Sequence, residues 1–129
     1  MSFKAKFKVA GKERNILAVE FGMLQQTDPT GRPSSIARGG KIHLTVEGTG
    51  ETDLFEWMTN SFERKDGSIT FVKRDSDATL KELKFKEAYI VKYTEDFDAK
   101  GENPLTESFV LSAKEIELGN AKHINDWAQ

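Results

Sequence analysis

No cysteine occurs in the 129 residues, which excludes disulfide staples, thiolate nucleophiles and cysteine-based zinc sites and fits a reducing compartment. Only two histidines are present, His43 and His123, too far apart in sequence to read as a metal pair. Ser34 and Ser35 lack the strand-to-helix setting of a nucleophile elbow. No apolar run approaches the length that crosses a bilayer, and residues 1–9 alternate Phe, Ala and Val with Lys instead of forming a leader stretch. The expectation is a chain that does not insert in a membrane and starts in the cytoplasm. A net charge of −2 argues against a general nucleic-acid binder.

What is present is a single domain's worth of chain with a real core. Hydrophobic residues make up 37% and aromatic residues 10%, enough for a packed interior, while 31% charged residues imply a heavily solvated or contact-making surface. The charge is uneven. Lys4, Lys6, Lys8, Lys12 and Arg14 face only Glu13 in the first fourteen residues, so the remainder is net acidic and the dipolar chain could self-associate end to end.

Period-two alternation dominates. Phe3, Ala5, Phe7 and Val9 point one way and Lys4, Lys6 and Lys8 the other; the lysine row either keeps a strand face from aggregating or forms a binding patch. After a turn expected over 11–14, Leu17, Val19, Phe21 and Met23 share one face of a second strand with Ile16, Ala18 and Leu24 opposite. Two apolar faces predict burial on both sides, one by the core and one by a further partner such as another subunit. Residues 27–40 carry two prolines, three glycines and two arginines without pattern and read as a long loop, the best surface for a partner contact. A third strand follows, with Ile42, Leu44 and Val46 inward.

One segment breaks the alternation. Over 53–62, Leu54, Phe55, Trp57, Met58 and Phe62 recur at offsets of one, three, four and eight, the stripe of one helix face, with Asp53 and Glu56 or Thr52 as capping candidates. A lone helix cannot cover a large sheet, so the strands must bury most of their apolar faces against one another. Turns are expected over 64–67 and 74–79, flanking a strand over 69–73. In the long segment 80–94, Leu83 and Phe85 have one parity and Ala88 and Ile90 the other. The same slip separates Phe109, Leu111 and Ala113 from Ile116 and Leu118, as bulges in bending strands would produce. Two bent long strands favour a mainly β, closed barrel. The tail 119–129 is polar apart from Ile124 and Trp127, which are expected to pin it to the body.

Candidate chemistry is thin. The run 48–53 (GTGETD) sits between strand and helix like a dinucleotide fingerprint, but it ends in Asp, is acidic and lacks a βαβ unit. Asp96, Asp98, Gly101 and Glu107 mimic a calcium loop, although Lys100 replaces a ligand, Pro104 stiffens another position and strands flank it. Asp75 and Asp77 form a DxD that reads as a solvated turn. Phe71, Phe85, Tyr89 and Tyr93 read as core aromatics because the RNP signatures of a base-stacking platform are missing.

The ordered series GRPSS within 27–40, LFEWM at 54–58, FERKDG at 62–67, KRDSDA at 73–78, LKELKF at 80–85, EAYIVKY at 87–93, GENP at 101–104 and the closing ESFVLSAKEI resembles the Hcp, or TssD, tube proteins of type VI secretion, in their Bacteroidetes branch. The resemblance spans nearly the whole chain and contains no catalytic signature. It implies a β-barrel of two packed sheets with one short helix on its side, built into a homohexameric ring. It further implies that rings stack into a tube within a contractile sheath, on a baseplate and spike, and carry effector proteins out of the cell, with no catalysis and no cofactor. The loop after the second strand then places Asp28, Arg32 and Arg38 as candidate ring-stacking contacts. Leu54, Phe55, Trp57, Met58 and Phe62 are expected to seal the barrel flank and shape the wall between subunits. The alternative is a monomeric β-barrel adaptor for a small ligand or protein partner, which would show no rings at any concentration.

Overall fold

The computed structural model describes residues 3–127. Seven strands and one helix follow in the order β1 (Phe3–Val9), β2 (Lys12–Phe21), β3 (Lys41–Glu47), α1 (Asp53–Thr59), β4 (Lys65–Lys73), β5 (Thr79–Phe97), β6 (Leu105–Leu118) and β7 (Ala121–Ile124). Every pairing is antiparallel. The sheet runs β3-β2-β1-β4-β5-β6-β7, and β3 also pairs with β6, which closes the first six strands into a barrel. Closure leaves β6 serving two neighbours on one side: its first half pairs with β3 and its last turn of ladder with β7. The mainly β barrel with one short helix is therefore as expected.

Alternation fills the interior. Phe7 and Val9 of β1, Ile42, Leu44 and Val46 of β3, and Phe109, Leu111 and Ala113 of β6 are all buried. Phe7 lies at the centre, stacked on Phe85 at 6.0 Å and edge-on to Phe109 at 5.2 Å. Gly67 makes room for this cluster: a Cβ there would stand 2.6 Å from the Phe85 ring and 2.5 Å from the Lys8 carbonyl. This explains why 64–67 is not the expected turn. Gly67 instead pairs with Val9 and lets β4, which begins at Lys65, lie close against the Phe85 ring.

The two parity slips turn out to face each other. Phe85 pairs with Ile116 and Ala88 with Ala113, so both strands change their buried side at one place and the β5–β6 ladder runs through it in register. The slip is thus a corner shared by two strands, and the extra residue shows only against β4, where the register shifts between Lys65 and Gly67. Glu87, with φ 51°, marks the bend. A separate shift in the β5–β6 ladder falls between Ile90 and Lys92. Bending both strands together keeps cross-strand pairs intact while the hairpin wraps the core.

Three further expectations change. The first hairpin turns at Ala10 and Gly11, both with positive φ as a two-residue loop demands, so Lys12 to Arg14 already belong to β2. In β2 the register against β3 shifts between Ile16 and Ala18. That shift puts Ile16, Val19 and Phe21 on the core side and leaves Leu17 40% exposed, so the doubly apolar strand is one apolar face interrupted by a bulge. The tail contains β7, paired to the end of β6; Trp127 does pack on Tyr89, at 5.4 Å, whereas Ile124 is exposed. Residues 128–129 of that tail lie outside the described residues.

Candidate assembly surfaces

Helix α1 is tied to the barrel by charge as well as by apolar contact. Leu54 and Trp57, three apart, are buried, and Met58 packs beside them against the core. The Trp57 indole N–H donates to the Glu63 carbonyl at 2.8 Å, which fixes the turn that follows. Asp53 does not cap the helix because its carboxylate is committed to the Arg14 guanidinium of β2. Thr52 is the N-cap residue, but its hydroxyl donates to the Glu56 carboxylate at 2.5 Å and caps no amide. The helix stops at Thr59, earlier than the expected 62, where Asn60 leaves helical geometry; Thr, Asn and Ser in succession compete for backbone hydrogen bonds outside a helix. Phe62 consequently sits in a turn, 84% exposed, and Phe55 rests edge-on against Tyr93 at 5.9 Å with 56% of its surface open. The five-residue stripe therefore divides: Leu54, Trp57 and Met58 pack on the barrel flank, while Phe55 and Phe62 stay exposed.

Arg14 also binds Glu107 of β6, and both are almost fully enclosed, at 3% and 1% exposure. The Tyr93 hydroxyl donates to the other Glu107 oxygen at 2.6 Å. Burial alone would push the Arg14 pKa down, but hydrogen bonds and charge from Glu107 and Asp53 outweigh it and hold the guanidinium protonated. Burial and the Glu107 carboxylate together raise the Tyr93 phenol far above its ordinary value. This cluster joins β2, β5, β6 and the helix start, and the sequence reading missed it. The available signal was parity: Glu107 continues the inward set of Phe109, Leu111 and Ala113. With Glu107 turned inward onto Arg14, the calcium-like spacing over 96–107 does not converge, and Asp98 instead caps its own turn by accepting the Lys100 amide at 3.0 Å.

The segment 27–40 is more ordered than a loop without pattern. Bridges Leu24 to Arg38 and Thr27 to Pro33 make residues 24–38 an irregular hairpin whose tip turns at Gly31. Asp28 organises the tip. One carboxylate oxygen accepts from the Thr30 amide at 2.9 Å, the Thr30 hydroxyl at 2.7 Å and the Arg32 amide at 3.1 Å, and these bonds lower its pKa. The turn is thus fully supported above the ordinary carboxylate range and loosens as pH falls through the lowered value. Arg32 and Arg38 are exposed and make no ion pair among the described residues, and Leu24 and Ile36 on the same hairpin are exposed too. Of the three candidate stacking residues, Asp28 builds the hairpin tip and the two arginines are exposed on it.

The lysine row of β1 is largely answered within the chain. Lys6 and Lys8 meet Glu13 at 2.9 and 3.8 Å, and Lys4 meets Asp77 at 2.8 Å. His43 is exposed on β3, as expected, and borders a groove of about 540 Å³ with Glu20, Thr45, Lys92, Thr94 and Ser108. The Thr45 and Ser108 hydroxyls there are hydrogen-bonded to each other at 3.1 Å. The described residues contain no group of three or more His, Asp or Glu placed to hold a metal ion.

Comparison with known proteins agrees with this architecture. The family model for TssD, the hemolysin coregulated protein Hcp, matches residues 1–128. The structure of Hcp1 from Flavobacterium johnsoniae is similar with 57% identity and a TM-score of 0.91, covering 95% of this chain and 99% of that one. The crystal structure of Hcp1 from Salmonella typhimurium shares the fold at 11% identity and a TM-score of 0.76, over 92% of this chain and 86% of that one. A component of an extracellular contractile injection system, solved in its sheath/tube terminator, shares the fold at 20% identity and a TM-score of 0.59, over 89% and 92%. No curated protein sequence matches.

Proposed function

The chain belongs to the TssD, or hemolysin coregulated protein Hcp, family and is a tube subunit of a type VI secretion system, and on that premise we propose that it closes into homohexameric rings that stack through the hairpin 24–38. The match over residues 1–128 carries this reading. A patch that meets a different patch on its neighbour closes a ring when the rotation permits, and a second such contact along the axis makes a tube. For the ring contact, Phe55 of the helix and Phe62 of the turn after it offer exposed aromatic surface. Fully burying an exposed aromatic side chain is worth about 1.5–3 kcal/mol, and Phe55, already partly covered by Tyr93, gains less than Phe62. For the axial contact, Arg32 and Arg38 with exposed Leu24 and Ile36 offer charge and apolar surface on one projecting element.

The tube assembles in the cytoplasm inside a sheath on a baseplate and spike, shelters small effector proteins in its lumen, and leaves the cell on contraction. Its role is structural, without catalysis or cofactor. Native mass spectrometry and negative-stain imaging of the purified chain test the assembly. Six-fold rings are expected, and a strictly monomeric species at every concentration and salt would overturn it. Deleting 27–38 should leave rings but weaken their stacking; unimpaired tubes would remove the hairpin from the axial contact.

A further inference from the structure

The base of the hairpin 24–38 is held at a junction of four backbone segments. Its outgoing limb at Gly22 and Met23, its return limb at Gly39 and Gly40, the corner of β6 at Ala113 and Lys114, and the residue after β7, Asn125, all meet there. The Asn125 side-chain amide donates from Nδ2 to the Gly39 carbonyl and to the Ala113 carbonyl, each at 3.0 Å. Its Oδ1 faces His123 Nε2 at 3.0 Å. Only one orientation of the amide works, because flipping it would set Oδ1 against two carbonyl oxygens. The His123 nitrogen must then be the donor, and it remains a donor whether the ring is neutral or protonated. Around this amide the backbone bonds run the same way: the Ala113 amide donates to Gly40 at 2.8 Å and the Asn125 amide to Lys114 at 2.7 Å.

Space at the junction is equally tight. A Cβ on Gly40, which has φ +105°, would stand 2.5 Å from Asn125 Nδ2 and 2.7 Å from the Ala113 carbonyl. A Cβ on Gly39 would stand 3.0 Å from Met23 Cγ and 3.7 Å from His123 Cδ2. The two glycines thus let the return limb press onto Asn125 while the outgoing limb presses onto them. Both limbs are therefore referenced to one side chain.

We propose that Asn125 is the positioning residue of the stacking hairpin: the segment after β6 serves to pin Gly39 to Ala113 and so to set the direction in which residues 24–38 leave the barrel. The inference rests on the proposed axial role of that hairpin. A hairpin that must reach a neighbouring ring gains from a fixed departure angle, since a swinging arm would lose orientational freedom at each stacking event.

Hydrogen exchange and ring stacking, measured on the full chain, separate the possibilities. In Asn125→Ala, exchange at the Arg38 and Ala113 amides should quicken about ten-fold, the scale of one or two net hydrogen bonds, while β1 and β4 amides keep their rates. Asn125→Asp has the same shape but no donor and sets a carboxylate against two carbonyls, so it should exchange faster than Asn125→Ala. Shape-filling alone predicts the opposite, and wild-type behaviour of Asn125→Asp would overturn the proposal. Six-fold rings should persist in both variants while stacked rings decline several-fold. Faster exchange with unchanged stacking supports the pin and instead removes the hairpin from the axial contact. Should a variant fail to fold, the wild-type protein still decides: the Asn125 side-chain amide protons should be protected from solvent exchange, and unprotected protons would overturn the assignment.

Discussion

Replacing Arg14 by Met removes the one cation in an almost closed site and leaves the Glu107 carboxylate with the Tyr93 hydroxyl as its remaining partner. Met keeps much of the volume, so the loss is electrostatic. Removing one partner of a buried ion pair costs about 3–5 kcal/mol because the other charge stays desolvated. A domain of this size has a total stability on the order of 5–15 kcal/mol, so a large share is at stake. For this chain length the melting temperature should fall roughly 10–20 °C. Thermal unfolding followed by circular dichroism at one fixed protomer concentration measures it, since assembly itself raises apparent stability. Adding Glu107→Gln removes the more deeply buried of the two stranded carboxylates, leaves only the partly exposed Asp53 without its partner, keeps an acceptor for Tyr93, and should recover roughly half or more of the loss. If Arg14→Met melts within roughly 5 °C of the parent at pH 8, or the double variant simply sums the two losses, the cluster is not a coupled buried network.

Other outcomes follow from the same structure. Phe62→Asp should leave the melting of the isolated subunit nearly unchanged, because Phe62 is 84% exposed, yet should shift size-exclusion profiles from rings to monomers. Tyr93 titrates far above its ordinary value of 10.0 in the fold, so stability should hold below pH 10 and fall as pH rises beyond it. In Tyr93→Phe, alkaline unfolding curves should show a shallower fall. Gly67→Ala should cost about 1–3 kcal/mol by driving a methyl into the Phe85 ring and the Lys8 carbonyl, a loss readable as a lower denaturant midpoint.

The strands of β1 and β3 were legible because alternation is a property of a few adjacent residues and survives any choice of partner. The helix was legible for the same reason, but its end was not. Three poor helix formers after Met58 outweighed the apolar Phe62 that the periodicity included. In the long strands the parity changes of β5 and β6 were visible one at a time, yet nothing local says that two slips stand opposite each other and form a single corner. The bulge at Leu17 was hidden for a related reason. With apolar residues on both parities, Ile16, Leu17, Ala18 and Val19 fit two registers equally, and only pairing with β3 selects one. As for the candidate surfaces, an irregular connection over 27–40 was readable from its prolines and glycines, while its hairpin pairing and the inward work of Asp28 were not, because both depend on the segment folding back on itself.

By itself, the amino-acid sequence determined the material of this protein: a cysteine-free run of alternating strands, a short amphipathic helix, and an ordered run of segments resembling one family. These are consequences of composition and of periods of two and 3.6 residues, which need no tertiary partner. The tertiary structure alone decided which charges became buried. Arg14, Asp53 and Glu107 lie far apart in the chain and meet only because β3 closes onto β6 and the helix folds over the gap. The same holds for Asn125, whose two acceptors come from the loop base and from β6. A local pattern states which side of a strand is apolar; the strength of an ion pair or a pinned loop depends on distances and desolvation that exist only after the barrel has closed.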